Sequence, residues 1–564
     1  MNNSTIADHF ELLAKLMDIH GENAFKAKTY SIAAFHIERL DAQLTAMDRS
    51  SYAGIKGLGA SVAAKIIELM DTGKMKALED LLTDTPPGVA EMLQLKGLGP
   101  KKIHIIWKEM GIVSVGELEY ACIENRLTRY KGFGEKTQVK ILESINFYTQ
   151  NKGHFLYSQI HEIFPSIQNY LEKIFGTGKV WNTGNFYRQL PTLHELEFII
   201  AEQPGIIKQK FQTAYPPELL EETAGSVLYK LNNGLRLRIY PVLEQIPQFL
   251  FNTSSAPEFS AAFLERFYPG NFDTTLFQNE SEIFEKAKLP YIPACLRESV
   301  SMIDRAEKHD LPQLIQVSDI KGIIHNHSTW SDGLFTIEEM AKALIDKKME
   351  YLVISDHSKS AAYANGLTEE RIVQQQQAID EVNKKLAPFK IYKSIECDIL
   401  GDGSLDYSNE VLATFDLVIA SVHSNLYMNE TKAMERLMRA IENPYTTILG
   451  HLTGRLLLSR NGYPIDHKKI IDACVANQVV IEINANPHRL DLDWSWISYA
   501  MDKGALLSIN PDAHTIEGFD DIRFGVIAAQ KGGLTPAYNL SSFSLPAFED
   551  FISKRKAAIR LFQV

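Results

Sequence analysis

The chain has 564 residues, 45% of them hydrophobic and 23% charged, which is an ordinary globular composition in a length too great for one core. Its four cysteines are scattered without a Cys-x-x-Cys pair, so neither a disulfide framework nor a thiolate zinc site is expected. The formal net charge of −12 disfavours long-range attraction of nucleic acid, but it does not exclude DNA, because lysines and backbone amides act locally on phosphates. The amino terminus lacks a signal-like pattern and no apolar run approaches membrane-spanning length, which predicts a cytoplasmic protein.

A short glycine motif occurs three times near the amino terminus, after two stretches with helical apolar spacing at residues 6–17 and 25–40. The copies are Gly57-Leu58-Gly59, Gly97-Leu98-Gly99 and Gly132-Phe133-Gly134, and each precedes a helix-like run. Glycine permits a tight turn with positive φ, and the following helix then points free N–H groups outwards. Such a helix start suits a phosphate oxygen.

One such turn would be an ordinary connection between helices. Three copies, each with a lysine within a few residues, resemble helix-hairpin-helix motifs, which hold DNA backbones without reading their sequence. The resemblance implies DNA contacts from the six glycines and from Lys101, Lys102 and Lys136.

The order of these elements resembles the lyase-like and fingers-like subdomains of bacterial X-family DNA polymerases. Asn23-Ala24-Phe25 and the first glycine motif match a lyase-like region at residues 1–80, and the other two motifs fall in a fingers-like region at 81–150. Lys65 then falls where eukaryotic relatives carry the Schiff-base lysine of 5′-deoxyribose phosphate removal. A lysine on a helix is more often a solvated residue, and a nucleophilic one needs a lowered pKa. The lyase role of Lys65 is therefore a hypothesis that stands beside the reading of Lys65 as a solvated surface residue.

Residues 151–230 match the palm of these polymerases, but with altered metal ligands. The family carries Gly-Ser, two aspartates alternating on a strand and a third aspartate on a later strand, which hold two magnesium ions. Here these places read Gly184-Asn185, then Glu195 and Glu197, then Arg236. Glutamate moves the charge by a methylene, and arginine places a fixed positive charge beside the metals. The resemblance implies a palm that folds and holds DNA but does not polymerise, without Mg²⁺.

A thumb-like region at 231–300 and a linker-like segment at 299–317 lead to a stretch where short apolar runs repeatedly end in metal-ligand residues. Helix-like stretches, such as 337–348 and 466–477, lie between the runs, and this alternation predicts a parallel sheet closing into a barrel. Functional residues of such barrels lie at the carboxyl ends of the strands. The candidate metal ligands are His325, His327, Asp332, His357, Glu396, His423, His451, Asp512 and His514.

Residues 318–564 resemble a PHP domain (polymerase and histidinol phosphatase), a distorted seven-stranded (β/α)7 barrel that usually holds three metals. The runs Gly401-Asp402-Gly403 and Gly450-His451-Leu452 resemble the PHP domain of the PolX type of X-family polymerases. The resemblance implies that all nine candidates are catalytic ligands of three divalent metals, with Mn²⁺, Zn²⁺ or Fe²⁺ suited to imidazole and carboxylate. Arg455, in a loop after a strand, is placed either to contact a DNA phosphate or to serve as a surface ion-pair partner.

The expected architecture is a helical helix-hairpin-helix region, an α+β nucleotidyltransferase-like palm and thumb, and the barrel. The favoured function is a DNA-repair phosphoesterase, a 3′-to-5′ exonuclease or 3′-end processing enzyme, in which a metal-activated water attacks phosphorus. Its partner would be gapped, nicked or 3′-ended DNA, and a monomer is expected. The resemblance also implies apurinic-site endonuclease activity as a neighbouring possibility. The alternatives are an active gap-filling polymerase, a histidinol-phosphatase-like enzyme for small molecules, which leaves the glycine motifs unexplained, and a non-catalytic DNA-binding scaffold.

Overall fold

The computed structural model describes residues 1–40, 42–123, 126–211 and 217–561. The chain divides into two compact units, Met1–Lys152 and Gly153–Val564. Among the described residues, no helix has both the length and the apolar surface that crossing a bilayer requires.

The elements described in the first unit are helical, as the apolar spacing predicts. The α-helices are Asn3–His20, Ala24–Glu38, Ala60–Thr72, Lys76–Asp84, Pro87–Glu91, Pro100–His104, Val115–Ile123 and Glu135–Asn151. Shorter 3-10 or π turns lie at Leu44–Ala46, Arg49–Gly54, Met92–Gln94, Ile105–Glu109 and Leu127–Arg129. The first helix begins after Asn2, whose side chain accepts the Thr5 N–H, and ends at Gly21 with φ +70°. One apolar cluster, including fully buried Phe10 and Leu69, runs through the whole unit.

The second unit begins with a palm-like sheet of five strands. In spatial order the strands are Val180–Thr183, Glu195–Ile200, Arg236–Pro241, Val227–Lys230 and Glu218–Glu222. Of the pairings between these five described strands, the one between Glu195–Ile200 and Arg236–Pro241 is parallel and the others are antiparallel. The remaining elements here are helices Tyr157–Phe175, Gly184–Tyr187 and Pro204–Phe211 and the two-residue strands Phe155–Leu156 and Thr192–Leu193.

The thumb-like region is a helical layer around an aromatic core. Its helices are Ile246–Thr253, Pro257–Phe267, Ser281–Lys286, Ala294–Leu296 and Ser301–Glu307. The prediction of a linker at residues 299–317 is therefore wrong in part, because Met302 and Ile303 are buried in this core. The guanidinium of Arg297, which is 0% exposed, forms an ion pair with the Glu280 carboxylate at 2.5 Å.

The barrel is a seven-stranded parallel sheet in sequential order. Its strands are Gly322–Ile323, Tyr351–Ile354, Lys390–Asp398, Leu417–Ser421, Ile448–Leu449, Val480–Asn484 and Leu507–Asn510. Its principal helices are Ile337–Asp346, Glu369–Leu386, Asn409–Leu412, Glu430–Ile441, His467–Ala476, Ile497–Asp502, Ile522–Lys531 and Leu545–Leu561. The ring closes where the His327 N–H donates to the Ala513 carbonyl at 2.9 Å.

The last helix fills one end of the barrel. Strand residues alternate, so that Tyr351 and Val353 join one apolar cluster while Leu352 and Ile354 join another. The first of these clusters includes Phe548 of the last helix, and its ring stacks on Tyr351 with centroids 4.3 Å apart. Because Tyr351 begins its strand, this helix covers the amino ends of the strands and leaves the carboxyl ends open.

The palm-like region packs directly on the barrel within the second unit. Leu490, Phe524 and Ala528 of the barrel belong to the apolar cluster of the palm. The buried Lys531 ammonium donates to Glu298 and to the Arg188 carbonyl, at 2.5 and 2.8 Å. The palm is therefore joined to the barrel by a shared apolar core and a paired charge.

Candidate metal centre and nucleic-acid-contacting turns

The nine candidate ligands converge at the carboxyl ends of the barrel strands. Glu396 lies near the end of Lys390–Asp398, and seven others follow their strands within a few residues. Asp332 lies further along the loop that follows Gly322–Ile323 and His327. His325 and Asp512 have φ of +66° and +54°, an uncommon conformation for residues with a Cβ that redirects the side chains where the strands end. Sequence spacing correctly predicted this convergence, whereas ligand roles remain a proposal.

Glu396 occupies the middle of the cluster and is 1% exposed. Its two oxygens lie 2.9–3.6 Å from ring nitrogens of His325, His327, His357, His423 and His451. Two ligand atoms that each lie about 2.1 Å from one ion are roughly 3 Å from each other. The oxygen–nitrogen distances around Glu396 therefore suit atoms that coordinate the same cation. A carboxylate with imidazoles on both oxygens can bridge two ions.

Asp332 and Asp512 extend the cluster on either side of His327. Asp512 Oδ1 lies 3.1 Å from His327 Nε2 and 3.6 Å from His325 Nε2. Asp332 Oδ1 lies 3.5 Å from His514 Nε2 and 3.9 Å from His327 Nδ1. Among the described residues these atoms form three sets of potential ligands, of which two share His327 and two share His357. The sets are His327, Asp332, His357 and His514; His325, His327 and Asp512; and His357, Glu396 and His423.

The chemistry of these donors fits metal ions. Within the described residues, His325 Nε2, His327 Nδ1, His451 Nδ1 and Glu396 Oε2 are buried without a hydrogen bond of acceptable geometry, a costly arrangement unless a ligand satisfies them. Burial and the neighbouring imidazoles lower the pKa of His327 to about 3, which leaves its ring neutral. Burial opposes ionisation of Glu396, but the imidazoles hold its pKa well below the usual value. His327, neutral beside the ionised Glu396, is therefore in the protonation state that binds metals.

Further buried groups orient the ligands. Glu482 accepts a hydrogen bond from His325 Nδ1 at 2.5 Å, which directs Nε2 towards the centre. Asp398 does the same for His423, and sequence reasoning missed it. The available signal was its i, i+2 spacing from Glu396 on one strand. The fully buried Asp356 accepts hydrogen bonds from the Ser328 and Ser331 hydroxyls and from the Gln375 amide, which fixes the loop after His327.

Two arginines in the loops after the strands differ in how many of their donors already have partners. Arg455 contacts Asp493 at 2.6 Å and donates to the carbonyls of Arg489 and Leu490. These contacts fix the loop that follows Val480–Asn484 and leave the guanidinium little capacity for the phosphate contact expected of it. Arg489 Nε lies 3.5 Å from Asp512 Oδ2 with 21% of its side chain exposed, so it is better placed for an anion.

The palm carboxylates are held by other side chains. Glu195 forms a two-pronged ion pair with Arg238, at 2.6 and 3.0 Å, whereas Arg236 contacts His194 at 2.8 Å. The strand register places Arg236 opposite Glu195 and Arg238 opposite Glu197, so both arginines share the carboxylate face. The expected positive charge is present, although Arg238 rather than Arg236 neutralises Glu195.

Glu197 fills the palm turn at Gly184. A Cβ at Gly184, whose φ is +69°, would lie 1.8 Å from Glu197 Oε1. That oxygen accepts the Asn185 N–H at 3.1 Å, and the other accepts the Tyr240 hydroxyl at 2.8 Å. The carboxylate thus occupies a backbone donor that an anion could otherwise use.

The three glycine motifs have one shared geometry. The first glycine of each, Gly57, Gly97 and Gly132, has φ between +78° and +94°. The middle residues Leu58, Leu98 and Phe133 are at most 4% exposed. The second glycines Gly59, Gly99 and Gly134 precede helices without a side-chain cap.

The lysines near these turns differ in exposure. Lys101 and Lys136 are exposed, and Lys102 is half-buried. Lys65 is also half-buried, with its ammonium 6.0 Å from the Tyr30 ring centroid. Nothing in these contacts distinguishes a nucleophile from a surface lysine, and the lyase role stays a prediction.

Family models match each of these regions. A helix-hairpin-helix domain matches residues 1–75, a SAM-like helix-hairpin-helix tandem matches 89–146, and a PHP domain matches 324–486. Fold and site together define a helix-hairpin-helix protein with a carboxyl-terminal PHP barrel. The protein "DNA polymerase/3'-5' exonuclease PolX" of Bacillus subtilis (strain 168) is 34% identical over 577 residues, covering 98% of this chain and all of that protein. The chain belongs to the PolX family, which confirms the resemblance to X-family polymerases.

Two further relatives share a smaller part of the chain. A probable phosphatase of Thermoanaerobacter sp. (strain X514) is 26% identical over 251 residues, 42% of this chain and 95% of that protein. A probable phosphatase of Caldanaerobacter subterraneus subsp. tengcongensis is 28% identical over 171 residues, 28% of this chain and 60% of that protein.

Proposed function

We propose that the chain is a metal-dependent phosphodiesterase that removes nucleotides from DNA 3′ ends. The observation that carries this proposal is the buried Glu396 with five imidazoles around its two oxygens. The name of the Bacillus relative includes a 3′-to-5′ exonuclease, which supports the polarity. The three overlapping ligand sets support a centre of three ions, with Mn²⁺, Zn²⁺ or Fe²⁺ suited to these donors.

The metals would be held by the nine residues of the cluster. When bound, they supply a water of lowered pKa and positive charge beside the phosphoryl oxygens. Glu482 and Asp398 hold the His325 and His423 rings in their orientation. Arg489 binds a non-bridging phosphate oxygen and thereby opposes the charge that develops in the transition state.

The DNA is held by the glycine turns in this proposal. Three helix starts with bare N–H groups contact phosphates, and Lys101, Lys102 and Lys136 add charge. This mode of binding follows the backbone rather than the bases, as a nuclease without sequence preference requires.

The palm would not polymerise. Magnesium needs carboxylates with near-ideal octahedral geometry, and here Glu195 is paired with Arg238 while Glu197 accepts from Tyr240 and Asn185. The shared apolar core with the barrel supports a retained structural role for the palm.

The test compares labelled DNA with a small monoester. Wild-type protein with Mn²⁺ should release nucleotides from 3′-labelled single-stranded and gapped DNA, and Glu396→Gln should lose this activity at an unchanged fold by circular dichroism. Histidinol phosphate should be hydrolysed far more slowly. Efficient release of phosphate from the monoester with intact DNA would instead establish a small-molecule phosphatase, the alternative that the two phosphatase relatives favour. An internal abasic site in the same DNA tests endonuclease cleavage.

A further inference from the structure

Tyr363 is an exposed aromatic residue held on a rigid turn beside the metal centre. Its side chain is 74% exposed, while Ala361 and Ala364 on either side are 0% and 1% exposed. The Ala364 N–H donates to the Ala361 carbonyl at 2.9 Å, and the Leu367 N–H returns to the His357 carbonyl at 2.9 Å. The backbone is therefore held by hydrogen bonds on both sides of the Tyr363 ring, although the ring itself is exposed and packs in no apolar core of the described residues.

The turn is tied to the centre by short-range contacts. The Tyr363 and His357 ring centroids are 6.1 Å apart at an angle of 56°. Gly366 lets the turn pack closely against the segment after His357, because a Cβ there would lie 1.9 Å from the Ser358 carbonyl oxygen. The ring thus lies at the rim of the centre with one face available.

We propose that Tyr363 stacks on the nucleobase at the DNA 3′ end and so selects nucleic acid over small phosphate esters. This inference rests on the proposed phosphodiesterase function. One sugar separates the terminal base from its phosphate, so a phosphate at the imidazoles and Arg489 brings the base to the rim. A base has a π face whatever its identity, and an aromatic ring already fixed loses little entropy on stacking. The occupant is therefore an unpaired terminal nucleotide of any sequence.

The experiment compares 3′ ends that do and do not carry a base. Single-stranded oligonucleotides end in thymidine or in a tetrahydrofuran residue without a base, and kcat/KM is measured for wild type, Tyr363→Ala and Tyr363→Phe. Wild type should prefer the base-bearing end by about tenfold. Tyr363→Ala should lose this preference and keep its rate on the abasic end, whereas Tyr363→Phe should retain both. Because each variant is its own reference, partial misfolding cancels from the ratio.

A matched control and a binding measurement complete the test. Tyr538, 38% exposed, precedes Asn539, which pairs with Leu507 at the opposite end of the barrel, so Tyr538→Ala should behave as wild type. In chelator, without cleavage, a 3′-terminal 2-aminopurine should lose fluorescence on binding wild type and Tyr363→Phe but not Tyr363→Ala. An unchanged preference in Tyr363→Ala, or its loss in Tyr363→Phe, would overturn stacking while leaving the nuclease intact. A wild type inactive on both ends would refute the proposed function itself.

Discussion

Replacing Glu482 by glutamine tests whether a buried carboxylate behind the ligands sets metal affinity. Glu482 is 0% exposed and lies outside the nine candidate ligands. One oxygen accepts from His325 Nδ1 at 2.5 Å and Asn510 Nδ2 at 2.8 Å. The other accepts from the His451 N–H at 2.7 Å and Asn484 Nδ2 at 3.2 Å. Glutamine preserves the shape and one oxygen, but its amide group faces two donors that it cannot satisfy.

The expected effect has two parts. An unsatisfied buried donor costs about 1–3 kcal/mol, so two of them lower the free energy of unfolding by roughly 2–6 kcal/mol. A lost partner of a ligating histidine lowers metal affinity by about 10–100-fold, or roughly 1.4–2.7 kcal/mol. Competition with a chromophoric chelator measures the affinity, and urea unfolding in excess chelator measures the stability. Glu517→Gln, at an exposed position, is the control. Wild-type metal affinity in Glu482→Gln would refute the orienting role of this carboxylate.

Three further perturbations address other parts of the molecule. Arg489→Ala should lower kcat/KM on DNA by about 10–100-fold with metal content unchanged, because the charge at the phosphate is lost, and a wild-type rate would exclude that contact. Primer extension on gapped DNA should be undetectable with Mg²⁺ or Mn²⁺, and synthesis by wild type would contradict the reading of the Glu195–Arg238 pair as a block to metal binding. Burial, with Asp520 and Glu162 nearby, raises the pKa of Asp521 to about 6, above its usual value. The folded state then holds the proton more tightly between about pH 4 and 6, so stability falls as pH rises through that window. Asp521→Asn should raise stability at pH 7 by about 1 kcal/mol, after allowance for partial exposure, and should flatten this slope in urea-unfolding measurements at several pH values.

The sequence predicts the convergent cluster because six of the seven barrel strands bring a candidate ligand at or beyond their carboxyl ends. Parallel strands share one carboxyl edge, so residues such as His423 and His514, far apart in the chain, must meet there. The glycine turns were equally readable, since positive φ at Gly57 is a local property of the backbone.

Other features depend on partners that no local pattern reveals. Arg236 and Arg238 both lie on the carboxylate face, and only the packed arrangement shows that Arg238 binds Glu195. Arg455 looked free for DNA because its partner Asp493 follows 38 residues later in another loop. The helix Ser301–Glu307 resembled a linker because its few buried residues match an aromatic core built by distant segments. Tertiary contacts, rather than periodicity, decide such cases.

Elemental analysis of the purified protein, paired with DNA degradation, probes the convergent imidazole and carboxylate centre most directly. Wild type should carry close to three divalent ions per chain and digest 3′-labelled DNA, and a His325→Ala, His327→Ala double variant should lose both properties while keeping its helical circular dichroism. A wild type that binds no transition metal under saturating Mn²⁺, Zn²⁺ or Fe²⁺, or a double variant that keeps both its metal and its nuclease activity, would contradict this assignment.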